Sequence, residues 1–467
     1  MSDRESIMRR VFTVLTVLGV MIGLFVLGVG CGGAGGGGGG GLPDLPEVLG
    51  SVGGGVQGGT LTVTALDRHS GSAVIGANVY VAYGISAFHL PTTSTGTAVF
   101  PGLSPGPVTV TIIAANYSPV TIVNINAAVL TIPMDLVGIP TQINSNITFD
   151  GMTPSFIDGK AVLAWSNMGG GLAYSVIDDG SGNAVTDSNP IVIGLMEDLP
   201  VAIFGFVFDP LDDPDNIMQA YVEYPGGPPF SSITLNLASA SMKQVSGTVT
   251  APASFDLTDP DVEVNVLALA HLKALGNLLA GEVVSPIATI STTAVFGTPT
   301  GDDMRVARIP RDGEYFYAAL LRDDETVVDP IKGSAYVIRG TYDSLGTTVN
   351  FDDFKASATS VNVSTGDLTP TISWKNTDAP GSSGGYFLVV LGDQVTPGFD
   401  WVLIADGDTT AVTIPDYVGY ALASSTDYDA FVTAIYIPSF DFNSFTYADV
   451  EASYTHQTNI EYNFTTP

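Results

Sequence analysis

Four aspartates, Asp209, Asp212, Asp213 and Asp215, lie close together in one proline-containing stretch and have the chemistry to bind a cation. Carboxylates this close repel one another unless water solvates them or a cation shares their charge. Hard oxygen ligands suit Ca2+, so the stretch is interpreted either as a calcium site or as a solvated acidic loop. Residues 178–183 form a weaker version of the pattern, because they lack the EF-hand spacing and its final Glu. No other cofactor is expected.

A Gly-x-Ser-x-Gly pattern, which many hydrolases use to hold a nucleophilic serine, spans residues 381–385. Ser383 would be the nucleophile, and His456 further along the chain would be its base. This chemistry requires a sharp turn from a strand into a helix, which exposes the serine beside an oxyanion hole. Here a predicted strand follows the pattern, so a flexible hairpin loop explains it better. We therefore expect no catalytic residue and no enzyme activity, with a cryptic hydrolase as the alternative.

The histidines and the single cysteine show no spacing typical of a metal site. His69, His89, His271 and His456 are spread along the chain, without an HExxH motif or a His–Cys spacing. Catalytic zinc is therefore not expected. Cys31 is the only cysteine, which excludes an intramolecular disulfide.

Aromatic residues are concentrated between Tyr436 and Tyr447 and suggest a second kind of site. Phe440, Phe442 and Phe445 are the candidate ligand-binding residues, because exposed rings can stack on the faces of sugars. The alternative is that Phe440, Phe442 and Tyr447 fill the core of the last domain.

The N-terminal residues predict export and attachment to a membrane. An uncharged, mostly apolar run over residues 11–30 follows three arginines, as in an export signal, although a run of this length could also span a bilayer. The junction Leu27-Gly28-Val29-Gly30-Cys31 resembles the lipobox of bacterial lipoproteins, which implies a diacylated Cys31. Gly32 after the cysteine resembles the sorting pattern for the outer membrane. A retained N-terminal helix with an incidental Cys31 is the alternative.

A glycine-rich segment follows the predicted signal. Residues 32–41 and 50–59 are dominated by glycine. Such a segment cannot bury enough apolar surface to offset the entropy lost on ordering, so it should behave as a flexible coil. We interpret residues 32–57 as a tether between the membrane and the rest of the chain.

Composition limits the fold and the partners. The 467 residues include 54 glycines and carry a formal charge of −32. The length indicates several domains, and the abundance of Val, Thr, Ile and Tyr favours strands over amphipathic helices. Nucleic acid is a poor partner, because phosphate binding needs a basic surface.

Alternating apolar residues and turn signals recur from Thr60 to Leu136 and indicate an antiparallel β-sandwich. The informative motifs are Asp67 with Ser70-Gly71, residues 75–79, residues 96–100, residues 103–106 and residues 114–117. Through these motifs the segment resembles the carboxypeptidase regulatory-like domain, a transthyretin-type sandwich. The resemblance implies a fold and no peptidase activity, since the zinc-binding His-x-x-Glu of those enzymes is absent.

Further domains are predicted after the first. Residues 241–356 resemble a divergent second copy of the regulatory-like domain, and Pro370–Trp374 with Tyr428–Val432 resemble strands of a fibronectin type III domain. One helix is a candidate, over residues 267–281. Four alternating segments, taken as closing strands, place domain boundaries near residues 137, 240 and 357. The predicted order is signal peptide 1–31, tether 32–57, and β-sandwiches 58–137, 138–240, 241–356 and 357–467.

Together these features predict an all-β protein of tandem antiparallel β-sandwiches, Ig-like or transthyretin-like, behind a signal helix and a glycine-rich linker. We expect a non-catalytic lipoprotein of the cell envelope, at the outer membrane or the cell surface, that serves adhesion, envelope structure or protein binding. Carbohydrate binding is the alternative function. The expected partners are the membrane, through lipid or helix, and a protein or polysaccharide ligand.

Overall fold

The computed structural model describes most of the chain from Gly50 onward. The described residues are 50–54, 58–68, 70–83, 86–137, 142–150, 160–166, 172–177, 191–196, 201–208, 218–224, 232–236, 238–239, 242–252, 262–272, 276–284, 288–290, 293–296, 304–307, 314–323, 331–342, 348–356, 358–393, 400–417, 422–447, 450 and 454–467. Within these ranges no helix has the length and apolar character needed to cross a membrane.

Most of the described residues belong to β-strands, which confirms the predicted all-β fold. The first long strand, Thr60–Asp67, illustrates the cause: Leu61, Val63 and Ala65 are fully buried, whereas the threonines between them are partly exposed. Successive side chains of a strand point to opposite faces, so this alternation presents one apolar face that is stable only against a second sheet. Burial of such faces is the main force that holds each sandwich together.

The first sandwich consists of strands β1–β8. Their bounds are Ser51–Gly53 (β1), Thr60–Asp67 (β2), Asn78–Tyr83 (β3), Ser86–Pro91 (β4), Thr97–Pro101 (β5), Val108–Ile113 (β6), Val120–Ile125 (β7) and Val129–Met134 (β8). One sheet has the order β1-β8-β2-β5, and the facing sheet has the order β7-β6-β3-β4. The closing strand β8 runs parallel to the opening strand β2.

Residues of the regulatory-like motifs hold the turn after β2. The Asp67 carboxylate accepts hydrogen bonds from the Ser70 backbone N–H (2.7 Å), the Ser70 hydroxyl (2.9 Å) and the Tyr117 hydroxyl (2.9 Å). Burial and the adjacent Asp67 charge raise the pKa of Tyr117 to about 12. Asn116 next to it has a φ of 67°, a conformation that Asn tolerates better than most residues. In this chain the motif residues therefore have a structural role.

Strands β9–β16 form the second sandwich and β17–β25 much of the third. The second comprises Gln142–Asp150 (β9), Lys160–Ser166 (β10), Leu172–Ile177 (β11), Ile191–Met196 (β12), Val201–Phe208 (β13), Met218–Tyr224 (β14), Ser232–Asn236 (β15) and Ala238–Ser239 (β16). The third comprises Met242–Thr250 (β17), Val262–Leu272 (β18), Gly276–Val284 (β19), Ala288–Ile290 (β20), Thr293–Phe296 (β21), Met304–Ala307 (β22), Glu314–Asp323 (β23), Ile331–Tyr342 (β24) and Thr348–Phe351 (β25).

These three sandwiches share one strand order. Each has a row of four strands in the same order, β7-β6-β3-β4, β14-β13-β10-β11 or β24-β23-β18-β19, and in the second sandwich β16 adds a fifth strand beside β14. In the facing sheets each opening strand, β2, β9 or β17, pairs in parallel with its closing strand, β8, β15 or β25. The sequence predicted a repeat of the first domain only in residues 241–356, and the second sandwich has the same topology as well.

The last sandwich has a different order. Its strands are Thr359–Val363 (β26), Thr371–Lys375 (β27), Gly385–Asp393 (β28), Asp400–Asp406 (β29), Ala411–Thr413 (β30), Asp427–Tyr436 (β31), Phe445–Thr446 (β32) and His456–Thr465 (β33). Sheet β26-β27-β30 faces sheet β33-β31-β28-β29. Trp374 is buried between them, and the Tyr428 hydroxyl accepts a 2.9 Å hydrogen bond from the Ala423 backbone N–H. This bond has the form of the tyrosine corner of Ig-like sandwiches, so the last sandwich has an Ig or fibronectin type III-like architecture.

Three of the four-stranded sheets join edge to edge into one sheet of twelve strands, with the order β19-β18-β23-β24-β33-β31-β28-β29-β7-β6-β3-β4. The last sandwich lies at its centre. β24 of the third sandwich pairs antiparallel with β33, and β7 of the first sandwich pairs parallel with β29. β7 and β24 hold the same place in the strand orders of the first and third sandwiches. They lie at the two edges of sheet β33-β31-β28-β29 of the last sandwich. The domain boundaries near residues 137, 240 and 357 stay a prediction. Strands from three of the predicted domains share one sheet.

The helix expected over residues 267–281 is wrong. Residues 267–272 lie in β18 and residues 276–281 in β19, and the two strands pair antiparallel with a bulge between Ala268 and Leu269. Val264, Val266 and Ala268 are buried in alternation. The period-two pattern that begins at Val262 therefore continues through the Ala- and Leu-rich part, because tertiary pairing outweighs the modest helix propensity of these residues.

Candidate functional site

Several residues singled out in the sequence lie outside the described part of the chain. They are Cys31, His69, residues 178–183, and Asp209, Asp212, Asp213 and Asp215. The expected lipidation and the calcium site therefore stay predictions. Among the described residues, no group of three or more His, Cys, Asp or Glu side chains is placed to hold a metal ion.

The aromatic segment between Phe440 and Tyr447 is buried. Phe440, Phe442 and Phe445 are 7%, 1% and 7% exposed, so none of them presents a free ring face to a sugar, and the interpretation as an exposed binding surface does not hold. The core they fill is also not the expected one. They pack in a cluster with Leu61, Leu130 and other residues of the first sandwich.

Ring contacts show how this segment links two sandwiches. Tyr386 on β28 lies 5.6 Å from Phe440 and 6.4 Å from Phe445, measured between ring centroids, and Phe445 lies 5.6 Å from Tyr447. Such distances are typical of aromatic pairs that stabilise a core beyond their buried area. Burial raises the pKa of both Tyr386 and Tyr447. We call the contact between β1–β8 and β26–β33 the junction.

Backbone pairing fixes the aromatic segment in the junction. β32 pairs antiparallel with β1, so that Val52 lies opposite Phe445. The Tyr447 N–H donates to the Gly50 carbonyl (3.0 Å), and the Asn126 N–H donates to the Asn443 side-chain oxygen (2.8 Å). Segments that are 317 or more residues apart in the sequence therefore complete one sheet and one core.

The opposite face of the same sheet carries buried polar contacts across the junction. The indole N–H of Trp401 on β29 donates to the Thr121 hydroxyl on β7 (3.0 Å), which in turn lies 3.0 Å from the Thr111 hydroxyl on β6. Trp401 is 2% exposed and both threonines are fully buried. A buried indole N–H without a partner would be costly, so this chain of bonds fixes the register between β29 and β7.

An aromatic stack extends this contact towards the edge of the first sandwich. Tyr80 on β3 lies between Tyr417 of the last sandwich (4.1 Å) and His89 on β4 (4.6 Å), with near-parallel rings. Burial raises the pKa of Tyr417, and a hydrogen bond with Thr111 opposes the shift. The junction is thus held on both faces of the twelve-stranded sheet.

The serine pattern at residues 381–385 is part of a tight loop before β28. Ser383 is exposed, and its backbone carbonyl accepts a 3.1 Å hydrogen bond from the Phe440 N–H. Gly384 accepts a similar bond from the Ile437 N–H (2.8 Å). A strand follows the loop, as expected, so the strand-to-helix turn of a nucleophile elbow is not formed there. The backbone of this loop therefore holds the chain from Ile437 to Phe440, where the aromatic segment begins.

One signal in the sequence pointed to the junction. Tyr386 to Leu391 is an unbroken run of apolar residues, and all of them are buried. Alternate members pack into two different clusters: Tyr386, Leu388 and Val390 face the first sandwich, whereas Phe387, Val389 and Leu391 face the core of the last. A run without alternation indicates a strand buried on both faces, although it does not identify the partner.

His456 lies where β33 contacts both the third sandwich and β31. Its Nε2 is 4.0 Å from the Asp353 carboxylate, and its Nδ1 is 2.9 Å from the Thr455 hydroxyl. Burial and the nearby Lys355 lower the pKa of His456, with Asp353 opposing the shift. In the described structure it contacts a carboxylate and a hydroxyl, and it lies on a β-strand that joins two sandwiches.

The lowered pKa of His456 predicts a loss of stability in mild acid. The unfolded chain takes up the proton near pH 6.5, before the folded chain does, so the stabilisation is complete above that pH and is lost as the pH falls through the folded value. Thermal denaturation between pH 7.5 and 5 should show a falling Tm, and His456→Gln should flatten the slope. His89→Gln, which removes an exposed histidine of β4, is the control; an equal slope in wild type and His456→Gln would contradict the assignment.

Comparisons with known proteins place the chain in no named family. No protein-family model matches it, and no curated protein sequence matches it. Solved structures that it resembles include the Bacillus anthracis TIE protein, at 15% identity, 64% of this chain, 50% of that chain and a TM-score of 0.16. The chain thus spans half the length of that protein.

Two further solved structures show a similarly distant likeness. They are chicken CNTN1 FN1-FN3 domains, at 9% identity, covering 66% of this chain and 95% of that chain with a TM-score of 0.15, and a Ca2+-stabilized adhesin of an Antarctic bacterium, at 10% identity, covering 88% and 99% with a TM-score of 0.15. Because TM-scores this low carry no argument about the chain, its architecture is defined by its own strand order.

Proposed function

We propose that this chain is a non-catalytic lipoprotein of the bacterial cell envelope whose first, third and last sandwiches form a base, from which the second sandwich is presented for adhesion or protein binding. The observation that carries this proposal is the junction. It joins the sandwich next to the predicted tether to the sandwich at the end of the chain.

A scaffold role follows from how the base is built. Main-chain pairing across β7–β29 and β1–β32 is supported by buried aromatic contacts on one face and by the Trp401–Thr121 hydrogen bond on the other. Interfaces of this kind resemble a domain core more than a transient contact between domains. The chain leaves the base after β8 and returns to it in the third sandwich, whose β24 pairs with β33, so the second sandwich is suited to be presented as an insertion.

A non-catalytic role is supported by the described candidate residues. Ser383 lies in a glycine loop whose backbone supports the aromatic segment, and His456 lies beside Asp353. Neither arrangement provides the nucleophile, base and oxyanion donors that hydrolysis needs. A carbohydrate-binding role would need residues other than Phe440, Phe442 and Phe445, because these rings are buried.

The experiment that tests anchoring and function together uses Cys31→Ser. Cells that express wild type, Cys31→Ser or a control variant in the tether, Asp44→Asn, are labelled with a fatty-acid analogue, fractionated and assayed for attachment to surfaces. We expect labelled, membrane-bound protein and increased attachment for wild type and Asp44→Asn. Cys31→Ser should be unlabelled and released, with attachment reduced to that of cells without the gene.

Two results would count against parts of the proposal. Membrane-bound, unlabelled protein in both wild type and Cys31→Ser would favour the retained N-terminal helix over lipidation. Attachment that does not differ between wild-type cells and cells without the gene would remove adhesion as the function.

A further inference from the structure

The first sandwich carries a set of exposed apolar side chains. In the part of the chain whose side chains the structure describes, the large hydrophobic residues that remain exposed are Ile75, Phe88, Leu90, Val99, Val129 and Leu136. Scattered apolar residues are normal on a protein surface. Phe88 and Leu90, however, are neighbours on one face of the exposed strand β4, and this marks the strand as a surface that can contact another apolar surface.

The first sandwich also differs from the others in charge. No Asp, Glu, Lys or Arg occurs between Arg68 and Asp135. Residues 48–137 contain one Arg and two Asp, a formal charge of −1, and residues 1–47 contain three Arg and four acidic residues, also −1; residues 138–467 therefore carry −30 of the total of −32. The Arg68 guanidinium is paired with Asp135 at 3.1 Å. One end of a strongly acidic chain is therefore close to neutral.

The exposed strand β4 ends the twelve-stranded sheet. All six of its residues are exposed, whereas its neighbour β3 alternates between buried and partly exposed residues. Phe88 lies opposite Val81 and Leu90 opposite Val79, and both valines are fully buried. Phe88 and Leu90 therefore extend the core face of the sheet beyond the region that the facing sheet covers, and they are 45% and 37% exposed.

This edge lacks most of the features that keep edge strands from pairing. Natural edge strands carry charged residues, especially Lys, or bulges, or are covered by another element. β4 has the sequence Ser-Ala-Phe-His-Leu-Pro, and its pairing with β3 runs without a register shift from Asn78–Pro91 to Tyr83–Ser86. Only Pro91, at its end, limits further hydrogen bonding.

We propose that β4 is a self-association site, at which two copies of this chain pair their β4 strands antiparallel about a two-fold axis. In the proposed register Phe88 of one copy lies opposite Phe88 of the other, and the two rings share a face because residues that pair directly across antiparallel strands do so. Aromatic cross-strand pairs of this kind are stabilising. The pairing is isologous, so it closes as a dimer and does not continue as a filament.

Charge identifies a second copy as the occupant. Two chains of charge −32 repel each other wherever their acidic domains approach, and this repulsion is smallest when contact is made through the neutral first sandwich. A basic partner would gain nothing from a surface without acidic groups. Added salt screens the repulsion between the remaining domains, so the affinity of the dimer should increase as ionic strength rises. The affinity of an interface held by ion pairs would decrease instead.

Sedimentation of the purified full chain in detergent tests the proposal independently of lipid anchoring. We expect a weak dimer with a Kd in the range of about 1 to 100 μM, as is usual for a small interface. Phe88→Lys should weaken it by at least about tenfold, because it places two like charges directly opposite each other. Val99→Lys is the matched control, since Val99 is 47% exposed on β5, the edge strand of the other sheet, and it should dimerise like wild type.

Cysteine cross-linking provides a second readout that does not depend on equilibrium affinity. Paired residues on antiparallel strands have Cα atoms about 4.5 to 5.5 Å apart, which a disulfide can span. Oxidation of intact cells should therefore cross-link Phe88→Cys into dimers, and Val99→Cys should stay monomeric. Cross-linking of Val99→Cys alone, a wild type that is monomeric at high concentration, equal loss of dimer in both lysine variants, or ladders of higher oligomers would each overturn the proposal.

Discussion

Phe442→Ala is expected to lower the free energy of unfolding of the first sandwich by about 3 to 5 kcal/mol, although Phe442 belongs to the C-terminal part of the chain. The ring is 1% exposed and packs in the same cluster as Leu61 and Leu130. Its removal leaves a cavity between two sheets that cannot collapse without breaking the β1–β32 pairing. Amide hydrogen exchange of β2 and β8, measured by mass spectrometry, should become faster in the variant.

The control for this prediction is Ile75→Ala, which shortens a side chain that is 67% exposed in the first sandwich itself. It should change the free energy of unfolding by no more than about 0.5 kcal/mol. If Phe442→Ala accelerated exchange only in β28 and β31, the aromatic segment would belong to the last sandwich alone, and the junction would not be a shared core.

Gly385→Ala should prevent the last sandwich from folding, at a cost of at least about 4 kcal/mol. Gly385 has a φ of 147° and lies opposite Tyr436 where β28 begins. A Cβ at this position would overlap the backbone carbonyl oxygen of Ile435. The strands cannot separate to relieve the overlap, because β28 is buried on both faces. Loss of soluble protein, or of the cooperative thermal transition, is the measurement.

Two control variants distinguish the steric requirement at Gly385 from a catalytic role of Ser383. Gly366→Ala should be nearly neutral, since nothing lies within 4 Å of a Cβ there. Ser383→Ala should also leave stability unchanged, because Ser383 is exposed and the bonds across the loop come from its backbone. Hydrolysis of an ester or peptide substrate that disappears in Ser383→Ala would contradict the non-catalytic assignment. A stably folded Gly385→Ala variant would contradict the close approach of Gly385 to the Ile435 carbonyl oxygen.

Local features of this fold were predictable from the sequence, because their causes are local. Alternating residues in β2 indicate one buried face, and the Trp374 and Tyr428 motifs indicate an Ig-like sandwich. The repeat in residues 241–356 was visible for the same reason. The repeat in the second sandwich was not, since shared topology without shared residues leaves no sequence pattern.

The junction was not predictable in the same way. Hydrophobic alternation determines which face of a strand is buried, but it does not identify the partner when the partner lies hundreds of residues away. The segment from Phe440 to Tyr447 was therefore interpreted as a sugar-binding surface or as part of the last sandwich's core, and neither interpretation identified the first sandwich as its partner. Trp401 and Thr121 illustrate the same limit, because neither residue has a local pattern that requires the other.

The shared core of the first and last sandwiches determines when, during synthesis, the first sandwich can complete its core. Synthesis proceeds from the N-terminus, so the first sandwich emerges without the aromatic segment that completes it. A chain truncated before Phe440 would keep Leu61, Leu130 and their neighbours accessible to proteases. Only chains translated beyond the aromatic segment can bury this surface, so the first sandwich reports whether synthesis has passed the last one.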